Sequence, residues 1–80
     1  MRAPETTAER VKRLQLEAHA LALEEIEALE KLLLEAAAKA KDIANGGDAY
    51  PVGAREMASR LAADLPTKAE TIKTIVHRVS

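Results

Sequence analysis

Between Glu5 and Asn45 the chain contains neither glycine nor proline, and nearly every residue there is a good helix former. Only those two residue types disrupt a helix strongly on their own, so the stretch is expected to fold as one uninterrupted helix over about 7–44. At roughly 1.5 Å per residue it would be close to 60 Å long. Thr6 and Glu9 have the Thr-x-x-Glu spacing in which each side chain satisfies the other's free backbone N–H at a helix start. Asn45-Gly46-Gly47 supplies the stop, because Asn and Gly enter the left-handed conformation of a C-terminal cap at little cost.

A helix this long needs something along its apolar side. The stripe reads Val11, Leu14, Ala18, Leu21 and Ala22, then Ile26, Leu29, Leu33, Ala36, Ala40 and Ile43, with Leu29 and Leu33 at its centre. Its second part keeps the alternating three-and-four rhythm of a coiled coil, and the step from Ala22 to Ile26 shifts the phase. A second row, Leu16, Ala20, Leu23, Leu34 and Ala38, widens the stripe, which implies more than one neighbour.

The rest of the chain can supply one of them. After a turn at 45–52, Met57, Ala58, Leu61, Leu65, Ile72, Ile75, Val76 and Val79 return at helical spacing. Pro66 interrupts this arm. It lacks an N–H for the Ala62 carbonyl and disfavours helical geometry at Leu65, and Thr67 with Glu70 repeats the capping spacing. The expectation is a kinked or broken second arm with helices at about 53–64 and 67–79. The fold class is therefore all-α, one domain over 1–80, an antiparallel helical hairpin that forms a dimeric helix bundle.

Chemistry is bounded as much by what is missing. The 80 residues include no Cys, which removes disulfides and Cys-based zinc sites, and leaves oligomerisation as the usual aid to so small a core. The net charge of −1 gives no general attraction to nucleic acid or anionic membrane. No apolar run approaches the roughly 18 residues of a membrane span, and Met1 to Thr7 has no signal-peptide core. A cytoplasmic protein is expected. His19 and His77 lack the Glu-x-x-His and His-Glu-x-x-His spacings of metal sites. Gly46, Gly47 and Gly53 make no phosphate loop, and neither Ser59 nor Ser80 sits in a nucleophile elbow. No enzyme activity, metal or cofactor is expected. Tyr50, the single aromatic, argues against a base-stacking surface and fits a plug at the turn.

What remains is association. Pairing about the turn brings Val79 back only to about Ala18, so the first helix projects from Thr7 to Glu17. A second copy, or another helical protein, would cover Val11, Leu14 and Leu16 there, with Leu23 and Leu34 in the extra row. Arg10, Lys12 and Arg13 would face glutamates of the partner's midsection, which carries Glu24, Glu25, Glu27 and Glu30. The expected function is a helical protein–protein interaction or adaptor role. One alternative comes from residues 55–79. Arg55 to Ala62, the proline and then Thr67 to Val79 resemble the helix-turn-helix proteins, with Ala58 and Leu61 at their small and large apolar positions. The tight-turn glycine is replaced by Ala62, and the turn is longer than usual. The resemblance implies a DNA-binding regulator in which Lys68, Thr71, Lys73, Thr74 and Arg78 face a groove.

Overall fold

The computed structural model describes residues 3–79, and the side chain of Val79 lies outside the described part. Two α-helices are joined by one short turn: α1 spans Thr7–Ala44 and α2 spans Val52–Val79. The capping box forms as its spacing implies. The Glu9 N–H donates to the Thr6 hydroxyl and the Thr6 N–H donates to the Glu9 carboxylate. At the other end the Asn45 N–H is shared between the Ile43 and Lys41 carbonyls. The left-handed residue is Gly47, at φ 60°, rather than Asn45. A single 3-10 turn, Gly47–Ala49, then leads to Tyr50. The tyrosine ring lies over Gly46, where a Cβ would collide with it.

The contact between the helices is a seam of small residues. On α2 the buried or half-buried positions include Arg55, Ala58, Ala62, Leu65, Ala69, Ile72 and Val76, and on α1 they include Leu23, Ile26, Glu30, Leu33, Ala37, Ala40 and Ala44. Both sets advance by alternating threes and fours, the rhythm that keeps one helix face against a neighbour. The buried side chains of the core are four alanines, Ala37, Ala40, Ala58 and Ala69. Residues 23–30 share a groove with 73–77, and residues 36–43 share another with 54–61. The start of the contact on α1 thus meets the end of α2.

Two sequence expectations need correction. Of a kinked or a broken second arm, the break into helices over 53–64 and 67–79 is not formed, because α2 continues through Pro66. Its seam runs from Ala58 to Val76 across the proline, and ending the helix at Leu65 would uncover Ala69 and Ile72 together. The burial on both sides outweighs one missing hydrogen bond. Thr67 does not cap a new helix either; its hydroxyl donates to the Ala63 carbonyl at 3.4 Å. The other correction concerns phase. Leu29, placed at the stripe's centre, is 46% exposed, and Ala36 is exposed too. The seam is rotated toward Glu30 and Ala37.

Pro66→Ala should accordingly leave helical content nearly unchanged. It restores a backbone donor worth part of the roughly 3 kcal/mol that a mid-helix proline costs. Against this stand the half-buried ring carbons and the looser unfolded chain, each about 1 kcal/mol or less. The net expectation is a gain of about 1 kcal/mol in urea unfolding, with circular dichroism at 222 nm as the second readout. A large rise in helicity would show that the arm is broken at the proline.

Candidate functional site

The buried positions are alanines, and the larger seam residues, Leu23, Ile26, Leu33, Leu65, Ile72 and Val76, are only half-buried. Other large apolar residues lie outside the seam. Val11, Leu14, Leu21, Leu29 and Leu32 of α1 and Met57, Leu61 and Ile75 of α2 are all exposed. They share one side of the molecule. Leu29 and Leu32 stand eighteen residues beyond Val11 and Leu14, about five full turns, which returns a side chain to the same direction. Ile75 stands eighteen beyond Met57 and is aligned with it for the same reason. Ala36 and Ile43 then line a groove of about 400 Å³ with Ala54, Met57 and Leu61, and this joins the α1 residues to the α2 residues.

The residues expected to bind a partner divide between two sides. Val11 and Leu14 belong to this face. Leu16 lies two residues past Leu14, about 200° around the helix, and Leu34 lies eighteen beyond Leu16, so both point elsewhere. Leu16 and Leu34 are exposed, whereas Leu23 is half-buried against α2 beside Val76. Arg10 is exposed. Arg13 is occupied within its own chain: Nε and Nη2 donate to the two oxygens of Glu5 at 2.9 and 3.2 Å, and Nη1 donates to Glu17 at 3.2 Å. The bonds to Glu5, then those to Glu17, push its guanidinium above the ordinary value. The exposed face also carries Leu21, Leu29, Leu32, Met57, Leu61 and Ile75, which the expected set does not include. The signal for them was the alanine series 58, 62 and 69, whose small side chains call for a small-residue partner row at 37, 40 and 44.

Of the alternative nucleic-acid residues, Thr71, Thr74 and Arg78 are brought together and Lys73 lies apart from them. Lys68 pairs with Asp64 at 3.3 Å. Lys73 lines the groove shared with α1, beside Glu27, Glu30 and His77. Thr71 and Thr74 donate their hydroxyls to the carbonyls of Thr67 and Glu70. Thr71, Thr74 and Arg78 line a shallow depression on the outer side of α2 together with Glu70. With α2 continuous, the turn that would separate a recognition helix is not formed.

Among the described residues no helix is long and apolar enough to cross a membrane. Nor do three potential metal ligands come together among them. Compared with known proteins, the chain matches no protein-family model, no curated protein and no solved structure.

Proposed function

We propose that this protein is a helical interaction module, an antiparallel hairpin whose exposed apolar face binds a helical partner. One observation supports it above the rest: Val11, Leu14, Leu21, Leu29, Leu32, Met57, Leu61 and Ile75 share one exposed side, while the buried positions of the seam are alanines. A contiguous apolar patch running over both helices exceeds what solitary soluble chains usually leave open to water. The face suits a helix because its α1 residues recur at one- and two-turn spacings, which align them in rows that receive a partner's side chains.

The test is capture with the chain as bait, wild type against Leu14→Glu. Leu14 is 47% exposed, so the substitution should leave the circular dichroism spectrum unchanged. Partners retained by the wild type should be lost from the variant. Equal capture by both proteins would remove the apolar face from the explanation.

A further inference from the structure

The two ends of this face differ in relief. Every described residue up to Ala22 is exposed, and α1 first becomes covered at Leu23. The uncovered end presents Val11, Leu14 and Leu21, all exposed. At the turn end the groove is floored by Ala40 and Ala58 and walled by Ile43, Met57 and Leu61. One end carries large side chains, and the other carries a hollow of matching character. Within one chain they cannot meet, because Leu14 and Ala40 are about 40 Å apart along a straight helix.

Resting on the interaction reading above, we infer that the occupant of this face is a second copy of the chain. Its projecting N-terminal segment lies in the groove at the turn end of the first. A two-fold axis passing near Glu27 makes both contacts at once, since each copy offers the same two ends in reverse order. In that register Val11 lies opposite Ile43, Leu14 opposite Ala40 and Ala18 opposite Ala36. Leu14 thus meets the floor of the hollow and Val11 its wall. Glu17 comes beside Lys39 of the second copy at the rim, an opposite-charge contact.

The exposed area agrees with this occupant. The chain has an accessible surface of 6638 Å². A compact monomer of 8.6 kDa exposes about 4,700 Å², leaving an excess of about 1,900 Å². Obligate homodimers bury on the order of 1,000 to 2,500 Å² per subunit, and the excess falls inside that range. The radius of gyration gives the same message: it is 20.5 Å, against about 12 Å for a compact chain of this length.

The absence of cysteine makes the test clean. Leu14→Cys and Met57→Cys chains are mixed in urea, refolded together and oxidised with copper phenanthroline, alongside each variant alone. The expected result is a disulfide-linked pair of twice the chain mass in the mixture and none in either single sample. Sedimentation equilibrium of the unsubstituted chain should give the same doubled mass. A Leu14→Cys chain that links to itself would overturn the antiparallel register. A monomer at all concentrations, with no cross-link in the mixture, would overturn the second copy as occupant. Capture of a different protein that still depends on Leu14 would then leave the interaction reading standing, and loss of that capture as well would remove both.

Discussion

Ala58→Leu should destabilise the chain by about 1 to 3 kcal/mol or more, the usual cost of forcing extra carbons into a packed site. Ala58 is only 6% exposed and sits on the seam opposite Ala40, itself 6% exposed. Ala40 has no longer side chain that could retract, so the part of the added isobutyl group that the groove beside Ala58 does not take up pushes the helices apart. Separation at this point also loosens Ala37 and Ala62 on adjoining turns. A domain of this kind has a total stability of only about 5 to 15 kcal/mol, and the loss is a large share of it. Urea unfolding followed by circular dichroism measures the change. The conservative Ala58→Gly should weaken α2 by about 1 kcal/mol through helix propensity without spreading the helices. A leucine variant as stable as the wild type would mean that the seam does not run through Ala58.

The helices themselves were legible because their signals are local. Thr6 with Glu9 and the Asn45-Gly46-Gly47 stop act within a few residues, and α1 begins and ends where they place it. The break expected at Pro66 is not formed, for the complementary reason. A propensity argument weighs the proline against its own turn, while the outcome depends on Ala58, Leu65, Ala69 and Ile72 packing as a single face on α1. The phase of the α1 stripe was hidden by a similar non-local choice. Its apolar residues cover a sector wide enough for two neighbours, and hydrophobicity alone favours putting the leucines inward. The alanines of α2 decide otherwise, because two alanine rows allow the closest approach of the backbones and displace Leu29 and Leu32 to the outside. What the sequence reading placed on the projecting end, Val11 and Leu14, is part of the exposed face. Leu16 and Leu34 were grouped with them by hydrophobicity, and the helical rotation separates them.

The same displacement gives the largest expected effect in the molecule. Leu29→Glu should leave the single chain nearly intact yet abolish its association. Within one chain the leucine is 46% exposed, so replacing it removes about half of a burial worth roughly 1.5 to 3 kcal/mol. In the proposed assembly Leu29 lies close to the two-fold axis, and each substitution is felt twice. Two leucines lose the other half of their burial, about 2 kcal/mol together. Two carboxylates are also driven toward an apolar contact, at about 1 kcal/mol or more each. The total of about 4 kcal/mol corresponds to roughly a thousandfold weaker dissociation constant. Thermal melts across a hundredfold concentration range separate the two contributions, because only an associating chain has a concentration-dependent melting temperature. The wild type should show that dependence and the variant should not, while both keep the same helicity in dilute solution. A variant that unfolds at every concentration would show that Leu29 is covered within its own chain. One that associates as strongly as the wild type would show that the partner sits on another face.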